Sequence, residues 1–323
     1  MGMPRNEEFK KLVFEGIELY GVNHGASRNN NISLDIFSLA EAEAASRCDS
    51  EDAILVSSGY LAAQLVLQHY YHSHRLIYAP DTHPALWIGN PGPPCLSFTQ
   101  WAEDAISEIN SSREETLIIS NSLNNLFPEI YSFDWLRRLD PENKIILLVD
   151  DSHGIGITGE KGEGVYSSIP DLPNIEVIVI ASMAKALGVD AGVILGKSNI
   201  VSELRSSQIY AGSSPPAPGI LYAYLHASEI YKEELKKLRE NIKILTDLTR
   251  FTPGLHFVPN FPVFSLDDDK AGEFLLSKGI VISSFPYPDP QGESLNRIVI
   301  NSTHTREELE TLASAYFRNA KGA

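Results

Sequence analysis

Two short stretches of this chain carry residues whose types and spacing suit one chemistry. Lys185 stands in Ile180-Ala181-Ser182-Met183-Ala184-Lys185-Ala186-Leu187-Gly188, just past an apolar run, and upstream lies Val149-Asp150-Asp151-Ser152-His153-Gly154. A lysine amine withdrawn from water has a lowered pKa, so enough of it is neutral to condense with an aldehyde. A carboxylate at the end of an apolar strand can pair with a protonated ring nitrogen and keep that ring an electron sink. Lys185 is therefore the expected Schiff-base lysine and Asp150 the expected ring partner, with His153 placed to reach a phenolic oxygen or Asp150 itself. Taken singly, each residue has a plainer reading, a strand end or a solvated loop lysine. Their combination points to a cofactor site.

The cofactor of that chemistry is pyridoxal 5'-phosphate, and other segments offer it contacts. Ser57-Ser58-Gly59-Tyr60 joins an apolar strand to a helix. Such a junction aims backbone N–H groups and a positive helix end at whatever sits there, and a phosphate is a natural ligand. The same residues also make an ordinary N-cap. Ser182 offers a hydroxyl to the same phosphate. His83, after the strand Leu76-Ile77-Tyr78-Ala79, is placed to stack on a ring, or else is a surface or capping histidine. Arg297 opens the strand Arg297-Ile298-Val299-Ile300-Asn301 and is expected either to clamp a substrate carboxylate with paired hydrogen bonds or to lie at the surface. The glycine-rich run from His153 to Gly164 lacks the strand–GxGxxG–helix setting of a dinucleotide site and reads as a loop. No metal site is expected.

The elements that must position these groups are legible as alternation. Short apolar runs, AILV, LIYA, TLIIS, KIILLVD, EVIVIA and GVILG, are separated by helical or polar segments between residues 53 and 196. That pattern predicts an α/β fold with a mostly parallel sheet covered by helices, and catalytic groups at the carboxyl ends of its strands. After the turn-rich AGSSPPAPG, a helical pattern runs from about residue 220 to 250. FPVFSL, GIVIS and NRIVIN are then read as strands, with helices near 271–277 and after Thr305. The expected organisation is an N-terminal helix over 1–20, a large cofactor-binding domain over 21–215, and an interdomain helix with a smaller α+β domain over 216–323.

The 323 residues, 43% hydrophobic and 21% charged, are ordinary for a globular protein. A formal charge of -16 argues against general binding to nucleic acid or anionic membrane. Cys48 and Cys95 form no CxxC, which fits a reducing compartment. The first 21 residues read as a short amphipathic helix rather than a signal peptide, and no apolar run reaches the ~20 residues of a membrane span. A cytoplasmic protein is expected.

Four stretches together resemble the α-oxoamine synthases, a group of fold-type I pyridoxal-phosphate enzymes that includes 8-amino-7-oxononanoate synthase and 2-amino-3-ketobutyrate CoA ligase. They are SSGYLAAQLVL, VDDSHGIGITGEKGEG, SMAKALGVDAGVILG and YAGSSPPAP, the second being the most specific. Shorter agreement lies in GASR, which ends at Arg28, and in NRIVINSTHT, where Arg297 falls on the family's carboxylate-binding arginine. The resemblance implies that Lys185 is the Schiff-base lysine and proton-transfer base, with Asp150 at the pyridine nitrogen and His153 at the phenolic oxygen. His83 would stack over the ring, and Ser58, Gly59, Tyr60, Asn125 and Ser182 would contact phosphate or ring. Arg28 and Arg297 would contact substrate. A homodimer is implied, with Ser213 and Ser214 approaching the other chain's cofactor. The implied reaction condenses a small amino acid with an acyl-CoA or similar thioester. An aminotransferase or amino acid decarboxylase on the same fold, or an inert cofactor-binding protein, is the alternative. The chain departs from the family on the acyl side: its leading segment is short, NNNISLDIF replaces a histidine-bearing stretch after Arg28, and Asn125 stands at a serine position.

Overall fold

The computed structural model describes residues 1–250, 252–287 and 291–317. They form two compact units, one of residues 3–122 and 131–230, the other of residues 1–2, 123–130 and 231 onward. The larger unit is built on six strands. In chain order these are β1 (Asp52–Val56), β2 (Arg75–Tyr78) and β3 (Thr116–Asn121), then, after a ribbon of β4 (Leu123–Asn124) and β5 (Glu129–Ile130) belonging to the other unit, β6 (Ile145–Asp150), β7 (Ile175–Ser182) and β8 (Gly192–Gly196). Each of the six apolar runs read from the sequence is one of these strands. Their order across the sheet is β1-β8-β7-β6-β3-β2.

β2, β3, β6 and β7 pair in parallel, whereas β8 runs antiparallel to both β7 and β1. A parallel crossover needs a dozen or more residues, and only residues 183–191 join β7 to β8. The register sets the site: Asn121 pairs with Asp150, and Asp150 with Ile180. The carboxyl ends of three neighbouring strands therefore present Asn121, Asp150 and Ser182 along one edge. The sheet is fixed in place by its buried side chains. Ile54, Val56, Leu117, Ile119, Leu148, Ile178, Ile180 and Ile194 share one core with Ala62, Ala63, Leu65 and Val66 of a covering helix. Each large aliphatic buried there contributes roughly 2 kcal/mol.

The helices of this unit are α1 (Glu7–Tyr20), α2 (Asp35–Arg47), α3 (Gly59–Tyr70), α4 (Phe98–Asn110), α5 (Ser198–Arg205), α6 (Gln208–Gly212) and α7 (Pro218–His226). The long helical pattern expected over 220–250 is two helices. It breaks at Ala227, and α8 (Ser228–Leu248) restarts with Glu229 in its first turn.

The smaller unit holds most of α8, and β9 (Leu255–Phe257), β10 (Val263–Leu266), α9 (Ala271–Ser277), β11 (Ser283–Pro286), β12 (Ser294–Val299) and α10 (Arg306–Tyr316). Its sheet, β11-β12-β10-β9, is antiparallel throughout. GIVIS is not the strand. Gly279 and Ile280 donate back to Leu276 and Leu275 to close α9, and pairing begins only at Ser283. The expected acidic first turn of the last helix is present, with a reciprocal cap between Thr305 and Glu308. No helix among the described residues is long and apolar enough to cross a membrane.

Candidate active site

Lys185 lies three residues beyond β7, and its Nζ is 3.0 Å from His153 Nε2. Burial of the amine lowers the Lys185 pKa even though the residue as a whole is exposed, and the Asp150 carboxylate pulls the other way. The His83 pKa is also lowered, first by partial burial of the ring although the residue as a whole is exposed, then with Asp150 raising it and Lys185 lowering it. Asp150, His153, Lys185 and His83 are thus neighbours in space. The strand ends after β2, β6 and β7 deliver them together, as the alternation predicted.

Asp150 is held by the residues that follow it. Its Oδ1 accepts the Ser152 N–H at 2.8 Å, and Ser152 Oγ accepts the Ser182 N–H at 2.8 Å. Ser152 therefore couples the end of β6 to the end of β7, a role that nothing in its type or spacing announced. Asp151 turns inward instead. Its Oδ2 accepts the Val165 N–H at 3.0 Å, and a Cβ on Gly154 or Gly164 would fall 2.0 or 2.2 Å from its carboxylate oxygens. Glycine at 154 and 164 lets the loop close on that carboxylate. Burial pushes the Asp151 carboxyl up to about 7.

The junction of β1 and α3 touches the same edge. Ser58 caps α3 by accepting the Leu61 N–H at 3.1 Å, so the plain N-cap reading holds. Helix geometry leaves the N–H groups of Gly59 and Tyr60 without an intrahelical acceptor. A Cβ at Gly59 would lie 2.7 Å from Ser182 Cβ, and one at Gly192 would lie 2.1 Å from the Ser58 carbonyl oxygen. Only glycine allows α3 to start this close to β7 and β8. The open, positive end of a twelve-residue helix, beside the Ser182 hydroxyl, is an anion cradle. An amine of lowered pKa, a carboxylate, two histidines and this helix end are groups that can hold pyridoxal phosphate. The residues present fit the group.

The remaining expected residues sort differently. The Arg28 side chain is 8% exposed and committed elsewhere: Nη1 and Nη2 each lie 3.1 Å from a Glu41 carboxylate oxygen, and the guanidinium sits 4.5 Å over the Phe37 ring. Ser213 caps α6 and donates to the Tyr210 carbonyl at 3.0 Å, while Ser214 is exposed. Tyr60 is exposed as well. Arg297 does not open its strand but lies inside β12. Within the smaller unit its Nη1 donates to the Asn125 carbonyl at 2.8 Å and its guanidinium packs 5.2 Å from the Phe285 ring. No ion pair to it is found among the described residues, and burial alone lowers its pKa.

Fold and site together define a fold-type I pyridoxal-phosphate enzyme. The chain belongs to the aminotransferase class I and II family, which its residues 94–315 match. It is 26% identical to an 8-amino-7-oxononanoate synthase of Petrotoga mobilis, over 99% of this chain and 86% of that protein. Among solved structures, a lysine-to-alanine variant of a serine palmitoyltransferase of S. paucimobilis, with a pyridoxal phosphate–myriocin aldimine bound, matches with a TM-score of 0.82 and 17% identity, over 99% of this chain and 85% of that one. An 8-amino-7-oxononanoate synthase of Francisella tularensis matches with a TM-score of 0.74 and 18% identity, over 99% and 95%.

Proposed function

We propose that this chain condenses a small amino acid with an acyl thioester, the reaction implied by its resemblance to the α-oxoamine synthases, releasing the thiol and usually carbon dioxide and giving an α-oxoamine. The observation that carries the reading is the match to 8-amino-7-oxononanoate synthases over 99% of the chain, with Lys185 and His153 in contact inside it.

When bound, pyridoxal phosphate supplies an electron-withdrawing ring that stabilises negative charge at the α-carbon of an amino acid. The chain's own residues do the rest. Lys185, with its lowered pKa, offers a neutral amine that can hold the cofactor and later take the α-proton onto Nζ. His153 holds Nζ in place by hydrogen bonding and would be the residue to bond the cofactor's phenolic oxygen. Asp150 keeps a proton on the pyridine nitrogen, and its own position is kept by the Ser152 N–H. Ser58, Gly59, Tyr60 and Ser182 would hold the phosphate, and His83 would cover the ring face. Arg297, a buried cation without a counter-ion among the described residues, is the group a substrate carboxylate would satisfy. Asn125 stays close to that group through its carbonyl. Arg28 is left to Glu41 in this reading.

A homodimer belongs to the proposal, with Ser213 and Ser214 as the residues that would serve the other chain's cofactor. So does a cytoplasmic location, where acyl-CoA is available and the two free cysteines stay reduced. The test is release of free thiol from acyl-CoA by the cofactor-loaded protein. Thiol that appears only when an amino acid is added supports the proposal. Keto acid formed with no thiol released overturns it in favour of transamination.

A further inference from the structure

We infer that Asn121 is a positioning residue that sets the His83 ring by holding the turn that delivers it. Asn121 closes β3 directly beside Asp150. Its side-chain amide donates to the Asp81 carbonyl at 2.6 Å, and its oxygen accepts the His83 N–H at 3.3 Å. One amide thus brackets the turn from both ends, the oxygen and nitrogen being assigned from these partners.

The turn needs holding because Asp81 has φ of 55°, a left-handed conformation that costs a side-chain-bearing residue about 1 kcal/mol or more. Beyond it His83 caps the short helical turn Pro84–Leu86, its Nδ1 accepting the Ala85 N–H at 3.1 Å. That bond places the proton of the neutral ring on Nε2. Downstream, Gln64 donates to the Ala85 carbonyl at 3.0 Å and Trp87 Nε1 to the Thr82 carbonyl at 3.1 Å. These hold the segment after the histidine, and Asn121 holds the segment before it. The function demands a short side chain with both a donor and an acceptor. Alanine offers neither, and aspartate would set a carboxylate against the Asp81 carbonyl and beside Asp150.

That His83 covers the cofactor ring rests on the function proposed above, but the Asn121–His83 relationship does not. The experiment therefore uses the full-length chain purified without cofactor, its histidine rings labelled for NMR and the His83 signal identified by its loss in His83→Gln. The charged groups facing His83 are Asp150 from β6 and Lys185 beyond β7. Asp150 and Lys185 are kept in every variant. In the wild type His83 should titrate below the ordinary histidine range. Asn121→Ala should shift that titration upward as the ring gains solvent. Asp81→Gly in the same background should restore part of the shift, because glycine adopts the turn without help. An unchanged His83 titration in folded Asn121→Ala overturns the inference. Should Asn121→Ala fail to fold, recovery of folding by Asp81→Gly supports it and continued failure overturns it. In the loaded enzyme the expected companion is a fall in kcat on the order of tenfold with KM little changed. Absence of any thiol release would count against the reaction and leave the titration result standing.

Discussion

Nζ of Lys185 and Nε2 of His153 lie 3.0 Å apart, so one of the two nitrogens must lack a proton for the contact to be a hydrogen bond. With the lysine pKa lowered from its ordinary 10.5, the amine can be the partner that gives up its proton. Activity that needs neutral Lys185 should rise with pH along a limb that lies below 10.5. His153→Ala removes the partner, and kcat should fall roughly a hundredfold or more. A pH–rate profile for kcat on both proteins checks this. A limb left at the ordinary lysine value would contradict it.

The close start of α3 gives a prediction about packing. Gly59→Ala puts a methyl 2.7 Å from Ser182 Cβ and 2.9 Å from Ser182 Cα, where backbone cannot easily yield. It should cost about 1–3 kcal/mol and weaken cofactor affinity. Gly25→Ala, whose Cβ meets nothing within 4 Å, should change stability by less than about 0.5 kcal/mol. Thermal unfolding and cofactor titration of both variants are the measurements.

Asp151 gives a prediction about pH. Its carboxyl is raised by burial from 3.8 to about 7, so between those values the folded chain keeps a proton that the unfolded chain has released. This group therefore makes stability fall as pH rises through that window, by at most about 1.4 kcal/mol per pH unit. Asparagine keeps an acceptor for the Val165 N–H and carries no charge. Asp151→Asn should become more stable relative to wild type as pH increases from 4 to 7, read from unfolding midpoints at each pH. A constant difference would show that Asp151 does not titrate there.

Arg297 gives a prediction that separates binding from folding. A buried guanidinium with no counter-ion among the described residues costs desolvation that the Asn125 carbonyl and the Phe285 ring offset only in part. Arg297→Met should leave the unfolding midpoint unchanged or raise it, while KM for the amino acid rises at least roughly tenfold, a loss of about 1.4 kcal/mol. A lower midpoint with unchanged KM would make Arg297 a structural residue.

These residues also show where reading the chain succeeds and where it stops. The placement of Lys185, Asp150 and His153 along one edge is legible because strand ends announce themselves as apolar runs, and the parallel register then aligns those ends. The reversal of β8 was legible in principle, since nine residues cannot cross a sheet. Arg28 was not, because its partner Glu41 lies a helix away and arginine's type is the same whether it holds a substrate or a carboxylate. GIVIS misled for a related reason: Gly279, at φ of 76°, serves the end of α9, and a β-branched run after a helix-ending glycine need not be paired. Asn121 and Ser152 act through hydrogen bonds whose partners are distant in sequence or on the backbone, and such bonds leave no pattern in a sequence.

The central claim is that Lys185 holds pyridoxal phosphate and works on a small amino acid. The visible absorption spectrum of the reconstituted protein tests it most directly, recorded beside Lys185→Ala while glycine, alanine and serine are added in turn. The account predicts a band that depends on Lys185 and shifts with one of these amino acids. An absent band in the wild type, or the same band in Lys185→Ala, would contradict it.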